Sequence, residues 1–319
     1  MKDLTTDSHL ENNYILHDEI DFMELFQILW NEKLKIILIT STAVIFSVFY
    51  SLTLPDIYKS ETILASTSGS NNNTLSMSSQ YAGVASLAGI SLPSSGNIDE
   101  IAMTMKIIQS LSFFEKFVMN NDLYFNLLAP NGWNAATNKL TINSDIYNEK
   151  GKNWVSSQKF SINGKPSMQT AHRVFLKNFL IENDKKTGII TLSYKHYSPF
   201  IAQQILESLV LEINEMTRSE DIAIAKDSIK FMETELQNIN LNSLRSGMNG
   251  LILKQIEIIT LANSSPEYFL KTLSPPSAPE LKSEPKRAIL VILVSIIGFL
   301  LIITFIILRH YLFGVLKKI

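Results

Sequence analysis

Apolar and polar positions divide the chain into a lead, two uncharged runs, a large segment between the runs, and a tail. The runs are Ile36 to Leu54 (IILITSTAVIFSVFYSLTL) and Ala288 to Leu308 (AILVILVSIIGFLLIITFIIL). At about 1.5 Å per residue the first is roughly 28 Å long as a helix, close to the hydrocarbon thickness of a bilayer. Neither run shows the polar face that a surface helix of a soluble core keeps. Both are expected to span a membrane, which makes 1–35 a lead, 55–287 an outer lobe and 309–319 a tail. A secretory leader would start within the first few residues and end at a small-residue cleavage site. Here eight acids and only Lys2, Lys33 and Lys35 come before and at the start of the first run, so that run is expected to be retained as an anchor.

The lead holds one helical pattern, Asp21 to Leu34. Asp21 and Glu24 have capping-box spacing, and Phe22, Leu25, Phe26 and Leu29 fall on one face. This helix either lies at the headgroup level with Trp30 as an anchor or presents a docking face to another membrane protein.

In the lobe, Tyr58 to Ser66 alternates as a strand. Thr67 to Gly96 is rich in Ser, Asn, Gly and Ala, and suits either close packing or a surface loop. Asn97 to Met119 reads as two helices broken near Ser110, with Asp99 as a cap and Ile101, Met105 and Ile108 at helical spacing. Residues 129–165 carry turn signals, Pro130-Asn131-Gly132 and Asn163-Gly164 among them. Ser167 to Asn178 reads as a helix. Phe179 to Glu182 and Ile189 to Tyr194 read as a hairpin joined through a turn that ends at Gly188.

Ser198-Pro199 then opens a helix, Ser198 as its cap and Pro199 in its first turn. Its stripe runs Ile201, Ile205, Leu209, Ile213, Met216, then Ile222, Ile229, Met232, Leu236 and Ile239. The pattern lasts to about Leu244, near 70 Å if straight, with a break expected at Gly247 and Gly250. A helix follows to about Ala262, and Tyr268 to Leu273 reads as a last strand. The strands next to the two spans are expected to share one sheet. So long a stripe is expected to need other copies of the chain to cover it, which makes Ile205, Leu209, Ile213, Ile222, Ile229, Met232 and Leu236 the candidate contacts of a homo-oligomer.

Composition narrows the function. Charged residues are 18% of the chain, hydrophobic residues 46%, and the net charge is −2. No basic excess exists to neutralise phosphates, so nucleic acid is not an expected partner. Cysteine is absent, which excludes disulfides, thiolate metal sites and cysteine nucleophiles. Lys33, Lys35, Arg309, Lys317 and Lys318 flank the terminal side of the spans, against Lys59, Lys282, Lys286 and Arg287 on the lobe side. That is a slight bias toward cytoplasmic termini.

Candidate chemistry is sparse. His9, His17, His172, His196 and His310 form no metal-binding spacing, and no nucleophile elbow or phosphate-cradling loop is present. Glu233 and Glu235 sit on a helix rich in exposed charge. No catalytic, cofactor or metal residue is assigned. The remaining feature is SPPSAPELKSEPK at 274–286. Pro275, Pro276, Pro279, Pro285 and Lys286 make a stiff extended segment directly before the second span, either a strut or a partner surface.

With EIDFMELFQILWNEKLKI at 19–36, SLAGISLP at 86–93, DKKTGIITLSY at 184–194 and SPPSAPELKSEPKRA at 274–288, the chain resembles the chain length determinant family, the polysaccharide co-polymerases of bacterial inner membranes. The resemblance implies an α+β membrane protein, in which two transmembrane helices flank a periplasmic α/β base domain with a long protruding helix. It implies cytoplasmic termini, a ring-like homo-oligomer among membrane lipids, and no enzymatic activity. It implies control of polysaccharide length, such as lipopolysaccharide O-antigen, together with a partner polymerase and an undecaprenyl-linked glycan. The end at Ile319, without a phosphate-cradling loop, resembles the kinase-free branch. Second spans in the family are often glycine-rich, whereas here Gly298 stands alone between Ser295 and Leu308, which leaves close helix packing through this span open. The rival readings are a two-span envelope sensor, an accessory subunit of another polysaccharide export system, and a glycan-directed envelope enzyme.

Overall fold

The structure is a computed structural model. It describes residues 22–67, 100–155, 161–162, 164–184, 186–237 and 241–316. The small-residue stretch, SLAGISLP, the cap readings of Asp21 and Asp99, Asn163, Ile239, and the flanking charges Lys317 and Lys318 lie outside the described residues.

In chain order, α1 (Phe22–Asn31) and α2 (Lys33–Thr53) lead to β1 (Tyr58–Ser66). Then come α3 (Glu100–Ile108), α4 (Leu111–Asn120), α5 (Tyr124–Leu128), β2 (Pro130–Asn134) and β3 (Lys139–Ile142). Short pairings β4 (Tyr147–Asn148) with β5 (Asn153–Trp154) and β6 (Ser161–Ile162) with β7 (Lys165–Pro166) follow. The chain continues through α6 (Met168–Asn178), β8 (Phe179–Asp184), β9 (Ile189–His196), α7 (Pro199–Leu236), α8 (Asn242–Ser264), β10 (Leu270–Ser274) and α9 (Arg287–Leu316).

These elements form two units. The first holds α1, α2 and α9. α2 and the Arg287–His310 part of α9 are long and apolar enough to cross a membrane, with mean hydropathy 2.0 and 3.3 over their best windows. Only 17% and 11% of those windows is buried, so most of their apolar surface faces outward. The contacts run antiparallel. Ile36 packs with Ile302 and Ile306, a methyl at Gly298 would sit 3.5 Å from Ala43 Cβ, and Arg287 donates to the Leu54 carbonyl at 3.3 Å. Ile36, Thr40, Ala43, Ser47 and Ser51 recur at helical spacing on the covered face of α2. Small side chains there let the helices approach without a glycine-rich second span.

The second unit, Pro55–Pro285, is built on an antiparallel sheet of order β10-β1-β9-β8. The strands that adjoin the two spans in sequence do share this sheet, with Leu64 opposite Thr272 and Ser66 opposite Leu270. The β8–β9 connection closes on Asp184, whose carboxylate accepts the Lys186 N–H and the Thr187 hydroxyl. Gly188 there takes φ +69°, a value that a side chain would strain. Ser110 and Ser167 cap α4 and α6 by accepting the Phe113 and Thr170 N–H groups. Those helices pack Phe113, Phe114, Phe117 and Phe175 with Leu192 and Tyr194 of β9.

Three expectations are corrected. α7 ends at Leu236, short of Leu244, and Gly247 and Gly250 lie inside α8. Glycine costs a helix interior only about 1 kcal/mol relative to alanine, which a long helix tolerates. Ser198 makes no side-chain cap to α7. The third concerns the stripe. α8 returns along α7, and β10 then pairs with β1, so the chain covers much of its own long helix.

Candidate interaction surfaces

The stripe of α7 divides at about Asn214. Ile205, Leu209 and Ile213 are fully buried in the core of their own lobe, beside Ala202, Leu206 and Val210. They cannot touch a second copy, which corrects their place among the oligomer contacts. At the division, Asn214 is 3% exposed. Its amide nitrogen donates to the Val210 and Leu270 carbonyls, and its oxygen accepts the Phe269 and Leu270 N–H groups, both at 2.8 Å. One buried amide thus satisfies the start of β10 and ties it to the long helix. Beyond it, Met232 and Ala225 are buried, while Ile222, Ile229 and Leu236 are half-buried. Ile224 and Phe231, seven residues apart on one face, are 56% and 65% exposed. On α8, Leu253, Ile256 and Leu261 are also exposed. The outer hairpin therefore keeps apolar surface, on residues that the sequence stripe does not include.

The proline segment is fastened to β1. Proline has no N–H to donate to a ladder, and after Ser274 side chains replace the ladder. The buried hydroxyls of Thr62 and Ser60 donate to the Ser274 and Ser277 carbonyls at 2.9 and 2.8 Å. Pairing resumes at the far end, where the Ile57 N–H donates to the Glu284 carbonyl and the Ser283 N–H to the Ile57 carbonyl. Lys282 meets Asp56 at 3.1 Å and Lys195 meets Glu284 at 2.5 Å. Pro276 is buried, Pro279 and Pro285 are half-buried, and Pro275 and Lys286 are exposed. Such pinning suits a strut, and Pro275 and Lys286 remain on the surface.

His196 has both ring nitrogens engaged. Its Nδ1 accepts the Ser198 N–H at 3.0 Å, and its Nε2 lies 2.9 Å from the Asn126 carbonyl. A carbonyl only accepts, so Nε2 carries the proton and the neutral ring satisfies both partners. Burial pushes its pKa below the ordinary histidine value. This contact holds the start of α7 in place of a serine cap. His172 Nε2 lies 2.9 Å from the Gln109 carbonyl, with its ring against Phe114. Both histidines belong to the architecture.

A cleft of about 510 Å3 opens between α6, β9 and the loops around β2, lined by Asn131, Asn143, Lys177, Lys195, Tyr197 and Glu284 among others. Among the described residues no three His, Asp or Glu side chains come together as a metal site. Sequence reasoning missed the Asn214 clasp, because an Asn beside a stripe carries no signal of its partners. It also missed the contact of Tyr124, Phe125 and Tyr147 with Trp154, which joins residues spread over the turn-rich 129–165 region and its flank.

These features define a protein with two helices long and apolar enough to cross a membrane and a sheet-based lobe between them in sequence. The family model described as chain length determinant protein, Wzz, matches residues 18–120. That segment takes in α1, α2, β1 and the first lobe helices, and over it the chain is similar to the chain length determinant family. Two solved structures align with it. One, a full-length bacterial polysaccharide co-polymerase, is 14% identical with a TM-score of 0.37, over 92% of this chain and 99% of that one. The other, a fragment of WzzB, a polysaccharide co-polymerase from Salmonella Typhimurium, is 11% identical with a TM-score of 0.27, over 72% of this chain and 100% of that one. At these scores the family match carries the assignment. No curated protein matches the chain.

Proposed function

We propose that the protein regulates polysaccharide chain length as a non-catalytic scaffold in a bacterial inner membrane, with both termini cytoplasmic and the lobe periplasmic. The family match over residues 18–120 is the observation that carries this reading, and the two apolar helices support the membrane placement. The regulated polymer is lipopolysaccharide O-antigen, made by a partner polymerase on an undecaprenyl-linked carrier. The protein acts as a homo-oligomer whose copies meet through the outer helical hairpin. The exposed side chains of Ile224, Phe231, Leu253, Ile256 and Leu261 support that contact, since exposed apolar clusters favour association. Length control follows if the assembly holds polymerase or growing glycan and biases when extension stops. Deleting the gene should broaden the ladder of glycan lengths on a gel, and the wild-type gene should restore it. An unchanged ladder, with glycan still made, contradicts the reading.

A further inference from the structure

We infer that Tyr58, Trp133 and Phe200 form an aromatic foot that seats the lobe in the headgroup layer of the membrane. Tyr58 opens β1, Trp133 lies on the β2–β3 hairpin, and Phe200 stands in the first turn of α7. They are far apart in sequence, yet the Tyr58 and Trp133 ring centroids are 5.5 Å apart and those of Trp133 and Phe200 are 6.1 Å apart. Both pairs meet edge to face. Trp133 and Tyr58 are half-buried, and Phe200 is 52% exposed. The indole N–H is engaged with the Asn138 side-chain oxygen at 2.9 Å. The cluster thus has an apolar body and polar groups at its margin, the composition that concentrates at membrane–water interfaces.

The occupant follows from where the chain leaves the lobe. Ile57 and Glu284 are bridged to each other, so both tethers depart from one edge, and Tyr58 is the next residue along that edge. Tyr58 is only five positions from Thr53, the last residue of α2, a reach of at most about 17 Å even fully extended. Glu284 is three positions from Arg287, where α9 begins, a reach of at most about 10 Å. An edge tethered at two points by segments this short stays within reach of the headgroup layer at the ends of helices apolar enough to cross a membrane. Sequence alone does not show this foot, because Trp133 and Phe200 lie in segments with no apolar periodicity in common with Tyr58.

The test uses the full chain in lipid nanodiscs. A Trp30→Phe/Trp154→Phe variant leaves Trp133 as the single indole. Its emission should be quenched by lipids spin-labelled near the headgroup, and less by lipids labelled at the acyl terminus. Emission indifferent to both labels overturns the inference, and is the result if this patch instead stacks against sugar or a second copy. Should the double variant fold poorly, the absence of cysteine gives a second route. Phe200→Cys carrying an environment-sensitive dye should be quenched by the shallow lipid label, whereas Leu241→Cys, at the far end of the α7–α8 hairpin, should not. Equal behaviour at the two positions overturns the inference. Neither readout depends on glycan length, so failure here leaves the proposed function standing, and an unchanged glycan ladder leaves the foot standing.

Discussion

The two halves of α7 carry the same apolar period and meet different fates. From Ala202 to Asn214 the helix lies on β1 and β9, and Ile205, Leu209 and Ile213 lose all contact with solvent. From Ile222 to Leu236, where α8 returns along the helix, Ala225 and Met232 are buried while Ile224 and Phe231 stay exposed. A sheet presents a broad face that covers a helix through several turns, whereas a single helix covers one narrow seam. The first half is therefore fixed by its own chain, and the second half keeps apolar side chains exposed.

The largest test of that contrast is a pair of alanine substitutions. Leu209→Ala leaves a cavity in the closed core and should lower lobe stability by about 2–5 kcal/mol in denaturant unfolding. Ile224→Ala should stay within about 0.5 kcal/mol, as surface changes usually do. Comparable losses at both sites would erase the distinction. Asn214→Ala comes next. It removes the acceptor of the Phe269 and Leu270 N–H groups, and one buried donor left unsatisfied costs about 1–3 kcal/mol. Hydrogen exchange at Leu270 should rise in that variant with little change in α8.

Acid should act on the sheet-covered half. The folded state holds His196 neutral with a lowered pKa, so between the folded value and the unfolded value of about 6.5 the unfolded chain binds more protons. The stability that depends on neutral His196 is fully present above that unfolded value and is lost as pH falls through the folded pKa. A His196→Gln variant should flatten this part of the pH profile, and an unchanged profile would show that other groups set it.

Local rules made much of this fold legible. Alternation in YKSETILAS placed β1 over its observed residues, and Ser198-Pro199 marked the start of α7. The two uncharged runs coincide with the two helices long and apolar enough to cross a membrane. What periodicity could not tell was the identity of the covering surface. A stripe at 3.6-residue spacing looks the same whether a sheet, a returning helix or another copy lies against it. Hence the stripe alone offers Ile205, Leu209 and Ile213, which the lobe buries, and leaves out Ile224 and Phe231, which are exposed. Gly247 and Gly250 suggest a helix break by propensity, yet α7 already ends at Leu236 and both glycines lie inside α8. The pinning of the proline segment by Ser60 and Thr62 was likewise out of reach, because those hydroxyls act across more than 200 positions.

Association through the outer half of α7, as proposed above, predicts that its apolar side chains matter for glycan length, while the inner half matters for folding. The direct measurement is the glycan ladder of a deletion strain complemented with Ile224→Glu/Phe231→Glu at wild-type membrane level and lobe melting temperature. A ladder shifted away from the wild-type modal length is the expected result. A ladder indistinguishable from wild type would contradict the claim.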